Sequence, residues 1–218
     1  MFIRLWLIIF VALSVLIAQD RTGILATPKT VLDAEENHDV TAVNAFIAVL
    51  RATGKTGGVE HISCNGIVPL VTVRAHSKPE VVLDDVVGAD HQWIVETGQA
   101  RSLNLRYRNS SFLDVKIDSI EISDLSNPLR IANRVLNLPS VQERLHSARL
   151  ENHTELGISS IPKTGAASTK QPEPIILRDM TVRDILNFVA ASSGAQAWIY
   201  NERRCDTAGT FRIGFISK

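Results

Sequence analysis

The sequence carries no net charge, with 23 Lys and Arg against 23 Asp and Glu, so no global field draws it to nucleic acid or to an anionic membrane. Other chemistry is missing too. There is no CxxC or HExxH pair, and His61 and Cys64, three residues apart, would lie on opposite faces of a strand, so no metal or cofactor is called for. No GxSxG nucleophile elbow occurs. Gly54-Lys55-Thr56 resembles the end of a phosphate-binding loop, but Val49 stands where that motif needs glycine and the helical pattern precedes the loop instead of following it. No apolar run reaches the roughly 20 residues of a full membrane span. Aromatics make up only 6% of the chain, with three tryptophans among them.

What is present begins with compartment. Arg4 is followed by fourteen apolar residues from Leu5 to Ala18, the charged and apolar regions of an export signal. Residues 1–19 therefore read as a cleaved signal peptide or, if uncut, a short N-terminal anchor, and either places the bulk of the chain outside the cytosol. There the two cysteines, Cys64 and Cys205, have a reason to pair. The alternative is two separate buried thiols, because sequence does not show that they are neighbours. A bridge would tie the first half of the chain to the end of the second. At 45% hydrophobic content, the remainder is ample for a folded core.

Residues 20–37 lack periodicity and read as a linker. From Val40 to Leu50 the apolar spacing predicts a helix stopped by Gly54, followed by a strand over Val59 to Ser63. Leu70 to Arg74 reads as a strand, and Ser77 with Glu80 as the capping box of a helix. That helix carries Pro79, Val82, Leu83 and Val86 on one stripe and ends at Gly88. Two more strands follow, one over Gln92 to Glu96 around Trp93 and one over Ser102 to Tyr107. Leu113 to Ile122 alternates as a half-buried strand, Pro128 to Leu138 and Ser140 to Leu150 are helical in pattern, Leu156 to Ser160 is a candidate strand, and 161–174 is a flexible loop.

The stretch from Ile175 to Tyr200 repeats the unit at Val71 to Val95. Ile175 to Arg178 matches Val71 to Arg74, and a helix capped by Thr181 and Asp184 carries Val182, Ile185, Leu186 and Val189. Val82-Leu83 aligns on Ile185-Leu186 at a displacement of 103 residues, and Trp93 and Trp198 follow their arginines by 19 and 20 residues. A closing strand over Thr210 to Ile216 mirrors Ser102 to Tyr107. The chain is thus expected to be α+β, with two related βαββ-type units, each preceded by a helix and a strand and each packing its helices on a small mixed sheet. The halves are placed at 38–122 and 123–218.

This strand, Thr/Ser-capped helix, glycine and tryptophan-bearing strand resembles the short N-terminal domain shared by secretins and TonB-dependent receptors, the STN domain, over about 40 residues in each copy. The resemblance implies a small α+β periplasmic module that docks other proteins or peptides. The sequence departs from that family in having no secretin ring or receptor barrel after Lys218, so a pore or transporter role is not implied. The expected function is non-enzymatic recognition of an envelope protein or peptide, in the periplasm or after secretion, linked to a secretion or TonB-type system. Two modes are open to it: addition to an edge strand, and burial of a partner in the groove between the halves. The rival is a secreted hydrolase with a thiol or metal site, in which Cys64 would act with a histidine unless Cys205 consumes it. Trp93 and Trp198 read as core markers of the repeat, with ligand stacking as the alternative. Arg203 and Arg204 are candidate anion contacts, against the plainer reading of a solvated face that also holds Arg101, Arg106 and Arg108. Asp90-His91 reads as a turn.

Overall fold

The computed structural model describes Leu32 and residues 36–108, 112–154 and 173–218. The segment 1–19 read as an export signal, most of the residues read as a linker, the candidate strand at Leu156 to Ser160 and nearly all of the stretch 161–174 lie outside these residues. The described chain is α+β.

The first elements are β1 (His38–Thr41), α1 (Ala42–Ala52), β2 (Gly57–Ser63), β3 (Leu70–Val73), α2 (Pro79–Ala89), β4 (Trp93–Thr97) and β5 (Leu103–Tyr107). After a turn at Phe112–Asp114 come β6 (Lys116–Ile122), α3 (Pro128–Leu136), α4 (Pro139–Ser147), β7 (Leu150–Asn152), β8 (Ile175–Thr181), α5 (Val182–Ser193), β9 (Ala195–Arg204) and β10 (Gly209–Ser217). One six-stranded sheet runs β4-β5-β2-β9-β10-β7, and β1-β3 and β6-β8 form two separate antiparallel ribbons.

Both halves use one connectivity. β1 pairs with β3 as β6 pairs with β8, and the orders β4-β5-β2 and β9-β10-β7 each combine one antiparallel and one parallel contact. The halves join through β2 and β9, which run parallel from Gly57↔Ala197 to Ser63↔Arg203. Following directions across the sheet, the second three strands repeat the first three reversed. That is a half-turn about the hydrogen-bonding direction, and it also swaps faces. Val59, Leu103, Leu105 and Ala197 join the core of α1 and α2 on one face. Trp198, Tyr200, Phe211 and Ile213 join the core of α3, α4 and α5 on the other.

Several local expectations change. Val40 lies in β1, not in a helix, because its pairing with Val71 holds the chain extended until Thr41 caps α1 through a bond from the Asn44 amide. Lys78, not Ser77, is the N-cap of α2, and no side chain caps it; Pro79 at the first position has no N–H to satisfy. Gly88 sits inside α2, which runs on to Ala89. The strand expected from Leu113 begins at Lys116, since Phe112 to Asp114 form a tight turn whose first two side chains are buried. The helix expected to reach Leu150 ends at Ser147, and Leu150 opens β7 after Arg149 turns the chain with φ 52°. The boundary expected after 122 falls earlier, because β6 pairs with β8 and Phe112 to Ile122 pack in the second core.

Candidate functional site: a polar cleft between the halves

β2 lies inside the six-stranded sheet with a core on each side, so the alternation that would send Glu60 to solvent buries it completely. Arg183, in the first turn of α5, answers it: Nε and Nη2 donate to Glu60 Oε1 at 2.9 and 2.5 Å, and Nη1 pairs with Asp114. The Tyr107 amide donates weakly to the other Glu60 oxygen at 3.5 Å. Arg183 is held in place by the start of α5, where Thr181 Oγ1 accepts from the Asp184 amide at 3.1 Å and its hydroxyl donates to the Asp184 carboxylate at 2.7 Å. Burial pushes the Glu60 carboxyl above the usual carboxylate range, more than the nearby Arg183 charge pulls it down. For Arg183 burial acts to lower the pKa, but attraction to Glu60 and Asp114 outweighs it and the guanidinium stays charged. The network crosses the junction, since Glu60 belongs to the first half and Arg183 and Asp114 to the second.

Beside this network a cleft of about 440 Å³ opens on the polar side of the β4–β5 hairpin. Glu96 and Arg106 form an ion pair on its wall, and Arg183, Asp114 and Asp184 face them. Its floor is Asn104, only 1% exposed, whose side-chain nitrogen and oxygen both lack a hydrogen-bond partner among the described residues. Leaving such a buried amide unanswered costs about 1–3 kcal/mol. Next to it stands Asn187 of α5. Its oxygen accepts from the Trp198 indole at 2.8 Å, which fixes the amide orientation because indole is a donor only, and its NH2 has no partner. Gly98 keeps the floor open: a Cβ there would meet Ser102 Oγ at 2.7 Å, Asn104 Nδ2 at 2.8 Å and Asn187 Nδ2 at 3.1 Å.

A second polar groove, of about 730 Å³, lies on the opposite face and includes His61, Asn201 and Arg203. His61 has both ring nitrogens engaged, Nδ1 with Asn201 Oδ1 at 3.2 Å and Nε2 with the Ile67 carbonyl at 3.0 Å. Arg203 lies near Gly66 here, whereas Arg204 points to the other face and pairs with the buried Glu202 at 2.7 Å. As neighbours on one strand, Arg203 and Arg204 do not converge on a common anion. Among the basic residues expected on a solvated face, Arg106 lines the first cleft, and Arg108 donates to the His91 carbonyl at 3.1 Å.

Cys64 and Cys205 form a disulfide, their Cα atoms 4.3 Å apart, directly beyond the last β2–β9 pair. Neither offers a thiolate for nucleophilic chemistry. Among the described residues no three His, Cys, Asp or Glu side chains gather to hold a metal ion. Asp90 closes its turn, with one carboxylate oxygen accepting from the Gln92 amide at 2.9 Å and the other from the Tyr107 hydroxyl at 3.2 Å. Trp93 and Trp198 are fully buried, in the first and second cores respectively. They stand on different rungs of their hairpins: Trp93 pairs with Tyr107 four residues from the closing Thr97↔Leu103 pair, while Trp198 pairs with Phe215 six residues from the closing Arg204↔Gly209 pair.

Glu60, Asp114, Arg183 and Asn104 escape sequence reasoning. The one signal for them is the Arg183/Asn187 pair at i, i+4 beside the apolar stripe of α5, which a solvent-facing helix would show equally. No family model, curated protein or solved structure matches the chain.

Proposed function

We propose that the protein is an exported, non-enzymatic recognition module, built of two STN-like halves, that binds an extended segment of a protein or peptide in the bacterial periplasm or at the cell surface. The observation that carries this reading is the outer edge of β4 beside the polar cleft. β4 ends the sheet, and among the described residues no strand pairs with its outer side. Arg108 donates to the Gln92 carbonyl and Gly98 to the Ser102 carbonyl, so the even-numbered residues of β4 bond inward to β5. The amides and carbonyls of Val95 and Thr97 therefore face outward, the arrangement that accepts an added strand. The disulfide fits an oxidising compartment. Its formation also argues against the thiol hydrolase.

Thr97→Pro tests the reading, because Thr97 is exposed and proline removes an outward N–H without breaking a ladder bond to β5. Crosslinking with bacterial envelope extract is expected to capture a partner with the wild-type protein and to lose it with Thr97→Pro at unchanged melting temperature. A wild-type monomer that retains no envelope partner, or a Thr97→Pro variant that captures it equally, rejects the edge-binding reading.

A further inference from the structure

We propose that the floor of the cleft at Asn104 is a binding site for an amide group of the ligand, with Asn104 donating to its carbonyl and accepting from its N–H. This rests on the recognition reading and names the chemistry that the cleft reads. Asn104 is almost wholly buried, lines the cleft, and has neither its donor nor its acceptor engaged, so the inference does not depend on which way the amide is turned. The unpartnered NH2 of Asn187 approaches the same space from α5, with its direction fixed by Trp198. Both amide nitrogens border the volume that a side chain at Gly98 would fill. A donor and an acceptor side by side, with a further donor next to them, match an amide, which offers the same two functions in reverse.

The walls exclude other classes. The charged residues lining the cleft are three acids, Glu96, Asp114 and Asp184, and three arginines, Arg106, Arg108 and Arg183. Arg106 is taken by Glu96, Arg183 by Glu60 and Asp114, Asp184 bonds Thr181 and Arg108 the His91 carbonyl, so three acids balance three arginines and the walls carry no surplus of either sign. None of the described lining residues is aromatic, so the cleft has no platform on which a sugar ring or nucleobase would stack. The site lies on one face of the β4–β5 hairpin, one strand in from the β4 edge, with Glu96 of β4 on its wall.

The amide has two sources in a peptide, the backbone and a Gln or Asn side chain. Three blocked tripeptides, N-acetylated with a C-terminal N-methylamide and with Ala, Gln or Glu at the centre, separate them when titrated into ¹⁵N-labelled protein. Saturable shifts of the Asn104 side-chain NH2 are expected. Equal affinity for the Ala and Gln peptides assigns the backbone, and tighter binding of the Gln peptide assigns the side chain. Asn104→Leu is expected to weaken binding about tenfold or more without lowering the melting temperature, since it removes an amide that the folded chain leaves unanswered. Gly98→Ala is expected to weaken binding with Asn104 still in place. Absence of saturable shifts at Asn104, preference for the Glu peptide, or unchanged affinity in Gly98→Ala each overturns the proposal, as does loss of stability in Asn104→Leu, which would make the amide structural. If Thr97→Pro abolishes partner capture while Asn104→Leu binds peptide normally, the amide site falls and edge recognition stands.

Discussion

At the scale of single residues, Glu60 and Arg183 are taken out of water together and each depends on the other. Removing one partner of a buried ion pair leaves an uncompensated charge, which costs about 3–5 kcal/mol. Arg183→Met is therefore expected to lose about that much at neutral pH. The loss depends on pH with a definite sign. Glu60 holds its proton more tightly folded than unfolded, so its contribution is most favourable below the ordinary carboxylate value of 4.5 and declines as pH rises through its raised pKa. Without Arg183 the carboxyl rises further, so the variant's deficit should be greatest at neutral pH and shrink in acid, as Glu60 takes up a proton. Urea midpoints at neutral and acid pH check this; an equal deficit at both would mean that Glu60 is not the group left stranded.

The two tyrosines give a second residue-level test. Burial, reinforced by the Asp90 charge, pushes Tyr107 up to about 12, and burial with the Glu202 charge moves Tyr200 upward too. The folded chain thus keeps protons that the unfolded chain releases near pH 10, and its stability falls as pH climbs above that value. Absorbance at the tyrosinate band is expected to stay flat through pH about 10 and to rise with unfolding, as circular dichroism reports it. An ordinary two-tyrosine titration with circular dichroism unchanged would contradict their buried, hydrogen-bonded placement.

At the scale of elements, α5 shows which parts of the fold are legible in sequence. Its cap, Thr181 with Asp184, and its stripe of Val182, Ile185, Leu186 and Val189 are local features, and all are found as read. β1 and β7 are not legible: four and three residues long, they are strands because of partners 35 and 59 residues away, such as Val73 for His38 and Gly209 for Leu150. At Ser77 the expected capping box is absent for a local reason: His76 turns the chain at φ 54° and Lys78 takes the cap position. Gly58 gives the element-scale prediction. A Cβ there would lie 1.9 Å from Cε2 of the fully buried Trp198, on the neighbouring strand β9. Gly58→Ala should force overpacking worth about 1–3 kcal/mol and shift the indole fluorescence. A variant with the wild-type midpoint and spectrum would show that Trp198 does not lie over this glycine.

At the scale of the whole molecule, the internal repeat predicts two similar units but not their junction, because parallel pairing of β2 with β9 leaves no periodic mark in either segment. The cysteines are its one trace. Cys64 and Cys205 follow the last paired residues, Ser63 and Arg203, across a sequence separation of 141, and both are exposed to reductant. On the chain-entropy account a loop of this length stabilises the fold by about 4–5 kcal/mol. Replacing both cysteines by alanine, or reducing the native protein, should lower the denaturation midpoint correspondingly. The site of loosening is as informative as the amount. The bridge clamps only one end of the junction, whereas Arg183 on Glu60 holds its middle, so amides of β2 and β9 near Ser63 and Arg203 should gain hydrogen exchange before those near Gly57 and Ala197. Uniform loss of protection across both cores would show instead that the halves unfold as one unit, with the disulfide acting on the unfolded chain alone.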